Sequence, residues 1–170
     1  MPASAELLAR VEKRVKIDPS FRAALAAFVD APPGGAGSYT RTAAEEINST
    51  RRRNALEEFR SGSLATTDVQ RLLGLGTPQA VHRLRSRGKL LGLQSGNATW
   101  FPSWQFSGGQ VREDLPRVLE LLRRFTDDPI ACDRAMRMVR DDLGGRSVSE
   151  AIDHPRWSDA AWETLAELGG

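Results

Sequence analysis

Apolar residues recur at spacings of three and four through most of this chain, and the phase breaks wherever glycine, proline and hydroxyl residues gather. Leu7, Leu8, Val11 and Val15 predict a helix over residues 4–16. Asp18 and Pro19 read as the start of a second helix, with Phe21, Leu25, Phe28 and Val29 on its apolar side. Residues 31–38 are turn formers and read as a linker. A long helix is expected from Tyr39 or Thr40 to Arg60, with Ala44, Ile47, Leu56 and Phe59 apolar and an interruption at Ser49 and Thr50.

The most informative pattern lies in residues 64–106. A short helix is expected with Thr66 or Thr67 as N-cap and Val69, Leu72 and Leu73 on one face, stopped by Gly74 in a left-handed conformation. After Leu75 and Gly76, Thr77 caps a second helix that opens on Pro78 and closes at Gly88. Two short capped helices around a glycine turn have the form of a helix-turn-helix. At about 100° per residue, Ala80, Val81 and Leu84 face the first helix. Gln79, His82, Arg83 and Ser86 then point outward, with Arg85 and Arg87 at the flanks. Apolar runs at 89–93 and 98–101 flank a polar turn at 94–97 and predict a β-hairpin, a wing beside the helix pair. Pro102 ends the second strand, and Trp104 and Phe106 are expected to fold back over the hairpin as core.

Further on, Leu115 and Pro116 open a helix through Val118, Leu119, Leu121, Leu122 and Phe125. Asp128 and Pro129 start another, expected to carry Ile130, Ala131, Ala135, Met136, Met138 and Val139. Gly144 and Gly145 break the chain before Ser147 and Glu150, which are spaced as a capping box. Ser158 is expected to cap the last helix, with Trp157 and Trp162 as a hydrophobic staple and Leu165 and Leu168 continuing the apolar side.

Charge sharpens the picture. The formal net charge is only +2, but residues 63–112 hold six basic residues against one acidic, while residues 113–170 hold eight against thirteen. A basic centre suits a phosphate-facing surface and an acidic tail suits a protein partner. Gln79 and Arg83 are side chains able to pair with adenine and guanine edges in a major groove. Arg85 and Arg87 suit phosphates. Lys89, Ser95 and Asn97 would reach the backbone or the minor groove from the wing. The candidate DNA-binding residues are therefore Thr77, Gln79, His82, Arg83, Arg85, Ser86, Arg87, Lys89 and Asn97.

An enzyme is not expected. Cys132 is the single cysteine and falls on the apolar side of a helix, as a small hydrophobe would. His82 and His154 are far apart in sequence, no zinc-ligand spacing occurs, and no glycine loop has the phosphate-binding pattern. No cofactor or metal is expected. No apolar run approaches the ~20 residues that span a bilayer, and the first residues lack a secretory apolar core, so a cytoplasmic protein is expected.

The segment Gly144-Gly145-Arg146-Ser147 with Glu150-Ala151-Ile152 and an alanine-rich last helix resembles the toxin-binding domain of the Xre/MbcA/ParS antitoxins. Leu72-Leu73-Gly74, Gln79-Ala80-Val81-His82, residues 87–93 and residues 101–106 resemble the DNA-binding half of actinobacterial proteins of that type. Val148 stands where that family usually has proline, and residues 153–156 replace its common short loop. The resemblance covers residues 64–170. It implies a RES-domain toxin as partner and repression of the protein's own operon, with Arg146, Ser149, Glu150 and Asp153 as the partner-binding surface. The alternative is a stand-alone helix-turn-helix regulator with no toxin. The expected architecture is mainly α: N-terminal helices over 1–62 that support a homodimer, a winged helix-turn-helix over 63–112, and a helical C-terminal subdomain over 113–170.

Overall fold

A computed structural model describes the backbone of residues 2–30 and 36–169 and the side chains of residues 7–30 and 44–169. It is mainly helical with small antiparallel sheets. Residues 1–57 and 58–170 form two compact units, the division falling inside one helix. In the first unit, α1 (Pro2–Ile17) and α2 (Pro19–Asp30) pack together, joined at Asp18, whose carboxylate accepts the Phe21 N–H at 3.0 Å. Leu7, Leu8, Ile17 and Val29 are exposed. Residues 31–35 of the expected linker lie outside the described residues. α3 (Ala36–Ser61) begins earlier than the pattern implied and runs unbroken through Ser49 and Thr50. Within it the Ser49 hydroxyl donates back to the Glu46 carbonyl at 3.0 Å.

In the second unit the end of α3 is followed by a strand too short to leave a periodic signature, β1 (Ser63–Ala65). Next come α4 (Thr66–Leu72), α5 (Pro78–Ser86), β2 (Leu93–Ser95) and β3 (Ala98–Pro102). Both helices end on glycine at positive φ. The N–H groups of Gly74 and Leu75 return to Arg71 and Gln70, and those of Gly88 and Lys89 return to Arg85 and Leu84. These paired bonds are the Schellman arrangement, which satisfies carbonyls that the helix leaves free. The expected hydroxyl caps are not made. Ala65 occupies the N-cap position of α4, and the Thr77 side chain makes no capping bond. Thr66 instead donates to the Thr99 carbonyl at 3.2 Å, tying α4 to β3.

The three strands form an antiparallel sheet in the order β1-β3-β2, with Leu64 opposite Phe101 and Leu93 opposite Trp100. Only Gly96 of the Gly96–Asn97 turn has positive φ, as a type II′ hairpin needs. The hairpin is shorter than expected, because residues 89–92 are irregular and Leu90 is drawn into the core. A second hairpin, β4 (Phe106–Ser107) and β5 (Gln110–Val111), turns at Gly108 and Gly109, both at positive φ.

Beyond it lie α6 (Leu115–Phe125), α7 (Pro129–Arg137), β6 (Val139–Arg140), β7 (Arg146–Ser147), α8 (Val148–Ala151) and α9 (Ser158–Glu167). Asp128 caps α7 by accepting the Ile130 N–H at 3.0 Å, and Ser147 with Glu150 forms the expected capping box. α7 stops before Met138 and Val139, which were expected on its apolar face. Val139 pairs with Ser147 across β6 and β7, and both apolar side chains are exposed. Ser158 is the first helical residue of α9 rather than its cap, so the expected staple is absent. The Trp157 ring packs on Gly144 and lies under Arg156, while Trp162 lies under Arg117. A single apolar cluster runs from Val69, Val81 and Phe101 through Trp104, Leu115 and Leu122 to Met136, Leu143 and Leu165. It takes members from both sides of the expected boundary at 112/113. Trp104 is core as expected, and its Nε1 donates to the buried Asp133 carboxylate at 2.9 Å. Burial pushes the Asp133 carboxyl up, against the pull of Trp104 and of Arg137 at 3.4 Å. Among the described residues, no helix is long and apolar enough to cross a membrane.

Candidate nucleic-acid interface

α5 carries two rows of side chains at helical spacing, and they do different things. Gln79, Arg83 and Ser86 are exposed along one row. Arg83 Nε donates to the Gln79 carbonyl at 3.4 Å and the Ser86 hydroxyl to the Arg83 carbonyl at 3.1 Å, leaving most of the Arg83 fork free. The neighbouring row, Pro78, His82 and Arg85, turns toward the hairpin and lines a cleft of about 360 Å³ with Thr66, Thr67, Gln94, Asn97 and Thr99. His82 was expected on the outward face with Gln79. It is exposed, as that face requires, and also borders the cleft, about 60° round from Gln79. Arg85 is half-buried, and its Nη1 donates to the Gly92 carbonyl at 3.3 Å. It therefore ties the helix to the irregular link just before β2, and is not the free flanking cation that was expected. Thr77, Arg87, Lys89 and Asn97 are exposed, and Ser95 is half-buried.

Two side chains and one glycine that sequence reasoning did not select position this surface. Gln105 is fully buried. Its Oε1 accepts the Leu91 N–H at 2.6 Å, and its Nε2 donates to the carbonyls of Leu91 at 2.8 Å and Pro102 at 3.2 Å. It thus imitates a neighbouring strand and fixes the irregular link from α5 to β2. Arg123 of α6 donates to the Gly88 carbonyl at 2.6 Å, holding the end of α5. A β-carbon at Gly92 would lie 2.7 Å from the buried Phe101 ring and 3.1 Å from Arg85 Cδ, so only glycine allows this approach. No local sequence signal marks Gln105 or Arg123, because their partners are distant in sequence.

The expected partner-binding residues are not gathered into one site. Ser149 and Glu150 line a cleft of about 360 Å³ with Ser103, Trp104, Arg137 and Val139. Glu150 Oε2 accepts from both the N–H and the hydroxyl of Ser147 at 2.9 and 2.7 Å, and these bonds hold its carboxyl below the usual range. Asp153 belongs to a different cleft, where Arg112 is clamped between Asp153 and Asp114, both at 2.8 Å. The paired carboxylates raise the Arg112 guanidinium, and its hydrogen bonds hold Asp114 down. Arg146 lies in β7 and donates to the Gly144 carbonyl at 3.2 Å; the neighbouring Asp142 pairs with Arg140 instead.

No family model, curated protein or solved structure matches the chain. Among the described residues, no group of three or more His, Cys, Asp or Glu side chains could hold a metal ion. Burial, with Asp128 and Asp127 nearby, pushes the Cys132 thiol up to about 11, so it remains protonated at neutral pH.

Proposed function

We propose that the chain is a DNA-binding antitoxin-repressor. In this reading α4 and α5 are a helix-turn-helix, the β2–β3 hairpin is its wing, and the protein represses its own operon as a cytoplasmic homodimer while holding a RES-domain toxin. One observation carries the DNA half: Gln79, Arg83 and Ser86 stand in an exposed row on a helix whose C-terminal end is fixed by Arg85 to the Gly92 carbonyl and by Arg123 to the Gly88 carbonyl. Base edges are read by such side chains, and a fixed helix is what lets them discriminate. The toxin half rests on the resemblance of residues 143–170 to the Xre/MbcA/ParS antitoxins.

A stand-alone regulator without a toxin is the second reading, favoured by the internal engagement of Glu150 and Asp153. One measurement tests the DNA half that both readings share, and a second separates them. Selection from a randomised duplex pool should return a preferred sequence, and Arg83→Ala should cost about 1–3 kcal/mol on it while relaxing the preference. Equal affinity for the selected and a scrambled duplex refutes sequence-specific recognition. Co-expression with the product of the neighbouring reading frame should capture a RES-domain protein through the wild type and lose it in Arg146→Glu. Failure of the wild type to capture any such protein leaves the stand-alone regulator.

A further inference from the structure

The cleft between α5 and the hairpin has no acid in its lining, unlike three other clefts among the described residues. It is lined by Arg85, His82, neutral hydrogen-bonding side chains and apolar atoms, with no carboxylate. Three other clefts each contain acids: Glu150 in one, Glu113 with Asp114 and Asp153 in the second, Asp18 in the third. The acid nearest in sequence, Asp68, is paired with Arg71 at 3.3 Å. Of the five N–H donors of Arg85, one goes to Gly92, and its stem packs over that glycine. The guanidinium is therefore fixed in direction with donors to spare, beside Thr67 at the start of α4 and Asn97 at the turn.

We propose that this cleft seats one sugar–phosphate strand of duplex DNA, held by Arg85, His82, Thr67 and Asn97, while the adjacent row of Gln79, Arg83 and Ser86 faces the bases. The inference rests on the DNA-binding reading above and divides its surface into two functions. A polyanion ridge needs donors and a cation without competing carboxylates, which is what lines the cleft. A helix on one wall and a hairpin on the other are the two parts that would straddle such a ridge. Phosphate contacts set register and affinity but carry no sequence information. The cleft residues should then act alike on every duplex, unlike Arg83.

The test uses the full chain and a duplex recovered by selection from a randomised pool, beside a scrambled duplex. Arg85→Gln should lower affinity on both equally and reduce the slope of log affinity against log salt by about one. Asn97→Ala, at an exposed turn where it leaves the fold intact, should lower affinity several-fold on both without changing the preferred sequence. Neutral methylphosphonate at single positions of the duplex should weaken the wild type at one or two adjacent phosphates, and that penalty should shrink in both variants. If the wild type selects a sequence but the penalty is unchanged in both variants, or if either variant alters the preferred sequence as Arg83→Ala does, the seat is elsewhere. If the wild type binds no duplex, the DNA-binding reading itself falls, and the seat with it.

Discussion

Gln105→Met tests whether the path from α5 to β2 is held by a single side chain. Methionine nearly conserves volume, so the change isolates hydrogen bonding from packing. Three bonds are lost, at 2.6, 2.8 and 3.2 Å, and two of them serve the N–H and the carbonyl of Leu91. A typical bond contributes about 0.5–1.5 kcal/mol net, and an orphaned buried group costs about 1–3 kcal/mol. Leu91 is half-buried, so water recovers part of this. The expected loss is about 2–4 kcal/mol. For a unit of the size of residues 58–170, each kcal/mol lowers Tm by roughly 3–6 °C. Urea unfolding with amide exchange reads both the total and its location. Leu91 should lose protection beyond the global change, because its own N–H was the donor. A loss below ~1 kcal/mol, with Leu91 no faster than its neighbours, would refute the argument that Gln105 holds this link.

Other perturbations probe separate contacts. Gly92→Ala forces a methyl against the buried Phe101 ring and should destabilise by about 1–3 kcal/mol in thermal unfolding, with no loss if the backbone yields freely. Arg112→Gln should cost about 1–3 kcal/mol at neutral pH, less than a fully buried pair because Asp153 is largely exposed. The sign with pH follows from Asp114, which Arg112 holds below its ordinary value of 3.8: its contribution is full above that value and fades as pH falls through the lower folded-state value. Denaturation curves of wild type and Arg112→Gln should therefore converge in acid; a gap that stays constant would show that the ion pair is not its source.

What could be read in the sequence was local. The helices around Asp18, Pro78, Leu115 and Asp128, the glycine stops at Gly74 and Gly88, and the Ser147–Glu150 box all depend on residues within a few positions of one another. The failures involve long-range partners or very short elements. Thr66 would have made a plausible cap, but the Thr99 carbonyl claims its hydroxyl from across the sheet. β1 and β6 are three and two residues long, too short for alternation to register, so Val139 reads in the sequence as part of a helix. The Gly108–Gly109 turn carried a usable hairpin signal that periodicity of larger elements obscured. For the candidate site, the outward row on α5 follows from helical phase alone. The burial of Arg85 does not, because it depends on where the hairpin folds back.

The same contrast bears on how the C-terminal part should be tested. Residues 63–112 alone span about 50 residues, a size at which a single core contributes little stability. The protein does not ask that of them: Leu143, Val148, Ala151, Ala161 and Leu165 belong to the same cluster as Val69, Val81 and Phe101. Removing residues 143–170 would therefore strip one wall of the core that supports α5, and any loss of DNA binding would report unfolding. If the proposed partner and DNA binding hold, any influence of the one on the other must equally pass through a packed body, as a difference in affinity for two states of that body. Arg146→Glu lessens the confusion, since its side chain lies outside the core cluster; it donates to the Gly144 carbonyl and faces the Glu150 carboxylate, so the urea midpoint is read beside capture. Lost capture with unchanged duplex affinity and an unchanged urea midpoint would locate the partner contact at β7. A shifted midpoint would instead mean that the Gly144–Arg146 turn is structural.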